Sequence, residues 1–440
     1  MFFVEKRIKK KNLFILFSLI FFIFFWDIKF FKYFGFRELI LISFPIFIYD
    51  ISKNNFLNIK KNLKSFSLIF FVLLLIVFHL VFNIIYDDLR INLYNILSIL
   101  GISYLIFFTY FYFSLIKENI FLINIIFLIV YVFSLIYSKL DLSTISVLKQ
   151  TCSGLYKITN KSIFLENSHL AMMFIPCFSF LFFYFMNKNK ILLLLFFLLS
   201  LIFFFLNSVT LFFGLSIFLL LSLIYNPKFF FKKILILFII LVFFFVLLNK
   251  STLNKGCYQK IISSYNITNY TFQDRRLLSS TEKVSSAERE YLPRTLIKKN
   301  DFSLNLSSAV FVNALEISFQ TLNDRFFGWG LNRYENAFNY YMNNSLIIPY
   351  FVEVYTLNYN DGSGNLPKLF TEFGILIFFI FPVIIKFMLV KSICVPNKIF
   401  FLTIIFIQMI RGAGYFNGGF VFALIFILFE VFGFYEKKNS

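Results

Sequence analysis

Apolar runs long enough to cross a lipid bilayer recur from one end of this 440-residue chain to the other, and most linkers between them are short and lysine-bearing. About 20 apolar residues in helical form cover the roughly 30 Å hydrocarbon core. Only helices or closed barrels satisfy every backbone hydrogen bond in that medium. Twelve runs qualify, near 13–28, 37–50, 66–86, 93–116, 119–137, 166–186, 190–206, 209–225, 231–249, 368–390, 397–410 and 417–434, of which 37–50 and 397–410 are short. The fold class expected is therefore all-α, a polytopic membrane protein of about twelve transmembrane helices. Residues 1–249 would hold the first nine helices, 250–367 a large outer loop, and 368–440 the last three.

Composition excludes the soluble alternatives. The chain is 60% hydrophobic and 15% charged, with a mean hydropathy of +0.81, whereas soluble domains carry about 25% charged residues. Lysine and arginine number 42 against 22 acidic residues, and 42 − 22 gives +20. A nucleic-acid partner would need that charge gathered on one soluble face; here it is divided among loops. The 73 phenylalanines carry no functional reading, because Phe, Ile, Lys and Asn all have AT-rich codons. Cys152, Cys177, Cys257 and Cys394 lack C-x-x-C spacing, and neither His79 nor His169 has a partner at metal-ligand spacing. A zinc or haem site is not expected. Cys152 and Cys257 both fall outside the membrane, where oxidation to a disulfide is permitted.

Charge orients the chain. VEKRIKKK, KNNFLNIKKNLK, KEN, NKNK, NPKFFFKK, KSICVPNK and the terminal EKKNS lie on one side of the twelve-span threading, and poorly charged linkers lie on the other. The positive-inside rule makes both termini cytoplasmic. The first run, although preceded by lysines, lacks a small-x-small cleavage site and reads as an uncleaved span. Outside remain a linker of about 28 residues, 138–165, and the segment of about 250–367 that holds most of the polar residues.

The outer face differs chemically from the inner one. Of ten arginines only Arg7 is cytoplasmic; Arg37, Arg90, Arg275, Arg276, Arg289, Arg294, Arg325, Arg333 and Arg411 lie at or beyond the outer boundary. The positive-inside effect does not separate Arg from Lys, whereas bidentate binding of phosphate or carboxylate does. Ordinary pairing with acids of the long loop would account for about half of them. Arg411, in IQMIRGAGYFNGG, has no acidic residue near it in sequence, which marks a functional candidate at a membrane boundary. Ten of the fifteen glycines are also in outer segments, but the GWG and GAG pairs follow no strand and are not dinucleotide fingerprints.

Phe311, Leu315, Phe319 and Leu322 recur at helical spacing, which expects a helix lying on the membrane or on other helices. Asn332 and Glu335 read as a capping pair, followed by the stripe Leu331, Tyr334, Phe338 and Tyr341. Arg325 and Arg333 then flank a helix N-terminus. That arrangement suits an anion, or equally a capped interfacial helix with solvated arginines. Asn167 or Ser168, Asn365 and Asn417 are the expected caps of spans that start on this face, with Pro367 early in its helix. Glu166 and His169 form the one ionisable pair heading a long apolar run. Glu166 reads either as a general base for a hydroxyl or as an anion complementing the helix dipole; His169 reads as a satisfied polar side chain.

Five stretches resemble the O-antigen polymerase and ligase group, membrane glycosyltransferases acting on undecaprenyl-diphosphate-linked glycans. They are TCSGLYKITNKSIFLENSHLAMMFIP, NSVTLFFGLSIFLLLSL, NALEISFQTLNDRFFGWGLNRYENAF, GSGNLPKLFTEFGIL and IRGAGYFNGGF, in matching order over about residues 150–434. Two features depart from the group. The zone about twenty residues before G-x-G holds Ser307 and Ser308 where many members have an Arg, so Arg289, Arg294 or Arg325 would have to replace it. No histidine follows His169, whereas ligases usually bear one before the Glu-x-Gly span. The resemblance implies a repeat-unit polymerase in a bacterial inner membrane with its long loop in the periplasm. Its partners would be lipid-linked glycans, membrane lipid and a chain-length regulator, and it would need no cofactor. The expected site residues are Arg411, then Arg333 and Arg325, then Arg289, with Glu166 as base or acceptor-orienting group. The alternatives are a ligase that moves finished polymer to lipid A-core and a flippase or transporter of lipid-linked sugars.

Overall fold

The computed structural model describes residues 10–24, 36–53, 73–74, 76–81, 93–140, 167–188, 209–229, 231, 306–342, 359, 361–391, 393–412 and 414–432. Among these, every regular element is helical. The main ones are α1 (Lys10–Phe24), α2 (Phe36–Lys53), α3 (Leu93–Leu140), α4 (Asn167–Lys188), α5 (Val209–Tyr225), α6 (Leu306–Asp324), α7 (Tyr334–Tyr341) and α8 (Asn365–Phe373). A 3₁₀ segment, Gly374–Phe379, leads into α9 (Ile380–Leu389), and α10 (Val395–Ile410) and α11 (Phe420–Val431) complete the order. Three stretches are long and apolar enough to cross a membrane: Asn95–Val132, Ser168–Met186 and Asn365–Leu389. Four more, Asn12–Phe24, Phe213–Tyr225, Val395–Ile410 and Phe420–Val431, are apolar and shorter. The expected runs 190–206 and most of 66–86 and 231–249 lie outside the described residues, as do 141–166 and 232–305.

The core is aromatic. Phe401 stacks on Phe426 with ring centroids 3.9 Å apart, Phe113 on Phe426 at 4.7 Å, and Phe24 on Phe127 at 4.3 Å. Such pairs add about 0.5–1.5 kcal/mol each beyond simple burial. They join α10, α11, α3 and α1. Gly214 of α5 lets that helix approach α4 and α10, since a Cβ there would lie 2.6 Å from Ile175 and 2.9 Å from Ile407.

One expected turn is absent. Lys117–Asn119 is helical, so 93–116 and 119–137 belong to one helical run. These three residues contain neither Gly nor Pro, and Lys and Glu are good helix formers. Lys117 is held by Glu430 of α11 at 2.5 Å. The run changes partners here. Before it, Tyr110 and Phe113 face Phe429 of α11. After it, Phe121 stacks on Tyr184, and the Cys177 thiol donates to the Asn124 carbonyl of α3 at 3.5 Å.

The two apolar stripes expected between 306 and 342 have different fates. Leu331, Tyr334, Phe338 and Tyr341 are all buried, as their spacing predicts. In α6 the protein-facing side is instead Val310, Ala314, Ile317 and Thr321, while Phe319 is 58% exposed. That face carries Ser318, whose hydroxyl lies 2.9 Å from the Pro367 carbonyl and 3.1 Å from the Thr371 hydroxyl of α8. Polar complementarity with α8 thus decides which side of α6 turns inward.

Candidate functional site

The site is organised on α8. Its C-terminal carbonyls would be left unpaired where the helix stops, and a turn distant in sequence supplies their donors. Trp329 N–H donates to the Thr371 carbonyl at 2.9 Å and Gly330 N–H to the Glu372 carbonyl at 2.8 Å. In return Ile375 N–H donates to the Phe326 carbonyl at 2.9 Å. Two glycines make this approach feasible. Gly328 has φ +77° and Gly374 φ +54°, and a Cβ on Gly328 would lie 2.6 Å from the Glu372 carbonyl atoms. The GWG turn therefore acts as a clamp on a broken helix. Three remote side chains hold it from the other side: His79 Nε2–H donates to the Phe327 carbonyl at 2.7 Å, Asn95 Nδ2 donates to the Leu331 carbonyl, and Asn332 Nδ2 donates to the Ser98 hydroxyl.

Beneath the clamp lies a buried charged cluster. Glu372 is fully buried, accepts a hydrogen bond from the Tyr415 hydroxyl at 2.8 Å and lies 3.9 Å from the Lys368 ammonium one turn earlier. The backbone N–H groups of Asn332 and Tyr334 face its carboxylate. Lys368 also sits 4.8 Å from the Tyr415 ring centre. Burial, reinforced by the neighbouring Glu372 carboxylate, pushes the Tyr415 hydroxyl well above its ordinary range, so it stays a donor. Tyr334 shifts the same way, through burial first and then Asp361 and Glu372.

This cluster places a carboxylate of the chain itself at the helix N-terminus that Arg325 and Arg333 flank. The positive end of α7 is already answered, because Glu372 of the same chain occupies it. The expected caps also differ. The N-cap of α7 is Arg333 with no side-chain cap bond, and Asn332 takes a left-handed φ of 57°. α8 is capped by Gly364 and α11 by Gly419, in place of Asn365 and Asn417. At Gly364 close backbone approach outweighs side-chain capping, since a Cβ there would lie 2.7 Å from the Ile410 carbonyl, and at Gly419 the left-handed φ of +77° favours glycine.

The predicted arginines fall at the two ends of α8, a helix of nine residues and thus about 13 Å long. Arg325 lies over the Trp329 ring, 3.6 Å from its centre, a cation–π geometry. Arg333 is buried at the start of α7. Arg411 forms the C-cap of α10, and the adjoining Gly412 N–H donates to the Ser363 carbonyl just before α8. Tyr415 links the two ends, since it follows Arg411 in the same turn and reaches Glu372. His169 is half-buried in the first turn of α4. Glu166 and Arg289 lie outside the described residues, as do Arg275, Arg276, Arg294, Cys152 and Cys257.

Searches against protein-family models, curated proteins and solved structures find no match to this chain.

An apolar cavity of about 260 Å³ opens beside the cluster. Its walls include Ile106 of α3, Leu369 and Phe373 of α8, and Val421 and Ile425 of α11, and Tyr415 contributes as well. Among the described residues no three His, Cys, Asp or Glu side chains gather at metal-binding distance. Sequence reasoning passed over Glu372, Lys368, Tyr415 and His79 as site residues. Lys368 and Glu372 carried one legible signal: an i, i+4 ionisable pair at the start of an apolar span, where such residues are functional candidates.

Proposed function

We propose that this chain is an integral membrane glycosyltransferase that polymerises undecaprenyl-diphosphate-linked repeat units at the periplasmic face of a bacterial inner membrane. One observation carries the reading: an apolar cavity has Tyr415 in its wall, Tyr415 reaches the buried Glu372–Lys368 pair, and arginine-bearing turns sit at both ends of the same short helix. A lipid tail joined to an anionic head requires those two environments side by side. The sequence resemblance over about residues 150–434 supports the same class. In this reading the chain is multi-pass, the continuous α3 replaces the two spans expected at 93–116 and 119–137, and the 250–367 segment lies outside.

The reaction would join an acceptor sugar hydroxyl to the anomeric carbon of the donor glycan. The bond from that carbon to the lipid diphosphate breaks, the hydroxyl proton passes to a base, and the leaving diphosphate takes the electron pair. Preorganised positive charge lowers the cost of that departure. Arg411 is the first choice for it, being half-buried at the turn beside α8, followed by Arg333, Arg325 and Arg289. Glu166 is the assigned base or acceptor-orienting group.

Deleting the gene and analysing surface glycans and the polyprenyl-linked pool tests the reading. Lipid A-core bearing a single repeat unit, without a ladder, is the expected result. Bare core with long polymer retained on the carrier would make the protein a ligase, and single repeats trapped on the cytoplasmic side would make it a transporter. In the complemented strain, Arg411→Lys is expected to lose most activity at unchanged protein level, because a point charge replaces a planar fork. Near-normal ladders in that variant would remove Arg411 from the site.

A further inference from the structure

His79 lies 248 positions from the turn it touches, in a stretch that reads from sequence as uniform apolar span. It is 5% exposed, its ring stacks on Phe373 at 5.0 Å with planes 23° apart, and Nε2–H donates to the Phe327 carbonyl. Phe373 is the last residue of α8 and Phe327 immediately precedes the Gly328 clamp. One imidazole thus grips both sides of the seam where the turn meets the broken helix, with Arg333 close enough for charge interaction. The ring contact alone could be made by phenylalanine. The N–H contact could not, because phenylalanine has no donor to offer the Phe327 carbonyl.

We infer that His79 is a positioning residue: its Nε2–H fixes the Phe327 carbonyl and thereby holds the turn that carries Arg325, Trp329 and Arg333. The activity part of this inference rests on the polymerase reading; the positioning part does not. Two substitutions separate the N–H from the ring. His79→Phe keeps the stack and loses the donor, while His79→Gln keeps an N–H donor and loses the ring.

The chain has two tryptophans, Trp26 and Trp329. In full-length protein purified into nanodiscs with Trp26→Phe as background, Trp329 emission reports the turn directly, since that residue is 4% exposed under Arg325. His79→Phe is expected to red-shift the emission, and His79→Gln to leave it near the parent. In complemented deletion cells, His79→Phe should reduce glycan polymerisation by about 100-fold, the cost of misplacing a site by about 1 Å, with His79→Gln restoring most of it. Unchanged emission and ladders in His79→Phe overturn the inference. So does a His79→Gln variant as impaired as His79→Phe. The expected emission pattern in a protein whose deletion leaves the ladder intact would uphold the positioning role while removing the polymerase reading.

Discussion

Replacing Gly328 by alanine probes the contact that frames the whole site. The new methyl group would lie 2.6 Å from the Glu372 carbonyl carbon and oxygen and 2.6 Å from the Gly374 nitrogen, all backbone atoms that cannot swing aside. Relief requires the turn to withdraw from α8, which stretches the Trp329–Thr371 and Gly330–Glu372 hydrogen bonds. Each such bond nets about 1 kcal/mol, and the left-handed backbone adds about 1–2 kcal/mol of strain for any residue with a Cβ. The total is about 3–4 kcal/mol. Gly414 supplies the control: its φ is +84°, yet a Cβ there meets nothing within 4 Å. Gly414→Ala should therefore cost only the strain, about 1–2 kcal/mol. Denaturant unfolding of the two purified variants in micelles, followed by circular dichroism, measures the difference. Equal losses would mean that the close approach of the GWG turn to α8 contributes nothing, and the clamp argument would fail.

The alkaline limb of the stability curve tests the Tyr415–Glu372 contact. A hydroxyl whose pKa is raised on folding binds its proton more tightly in the native state, so its contribution is complete below the ordinary value of 10.0 and lost as pH rises through the folded value. Thermal melts above pH 10 should fall, and Tyr415→Phe should flatten that fall; an equally steep decline in Tyr415→Phe would assign it to other groups. At the α3–α11 contact, Lys117→Met strands the buried Glu430 carboxylate and should cost about 3 kcal/mol, whereas Lys117→Met combined with Glu430→Leu should recover most of it. A double variant no better than the single one would show that Lys117 acts through packing rather than charge.

How much of this molecule was readable in advance depends on the range over which each interaction acts. The helical class and the buried stripe Leu331, Tyr334, Phe338 and Tyr341 follow from period and apolar length, which are local properties. The helix ends were read less well. Asn332, Asn365 and Asn417 have good cap side chains, but the caps observed are Arg333, Gly364 and Gly419. At Gly364 a neighbouring helix passes within 2.7 Å of where a Cβ would stand. No pattern within a ten-residue window encodes that neighbour. The break expected at Lys117–Asn119 failed for a local reason instead: these residues include neither Gly nor Pro, and Lys and Glu favour the helix.

The candidate site divides along the same line. Arginine and glycine enrichment in the segments read as outer is a matter of counting, so Arg325, Arg333, Arg411 and the GWG turn were visible as candidates from residue order alone. Their relation to one another was not. Sequence could place Arg333 at a helix start with free N–H groups, but only the packing of α7 on α8 brings Glu372 to that start and satisfies it internally. His79, Asn95 and Tyr415 are scattered singly through apolar or turn sequence, and each acquires its partner through helix packing across more than forty residues of chain. The amino-acid order alone determined the elements and the solvent that each can tolerate, since those depend on backbone hydrogen bonding and side-chain polarity. Which buried donor meets which buried acceptor was decided only by the tertiary structure, since in an apolar medium an unpaired polar group is costly and the helices settle where such groups meet.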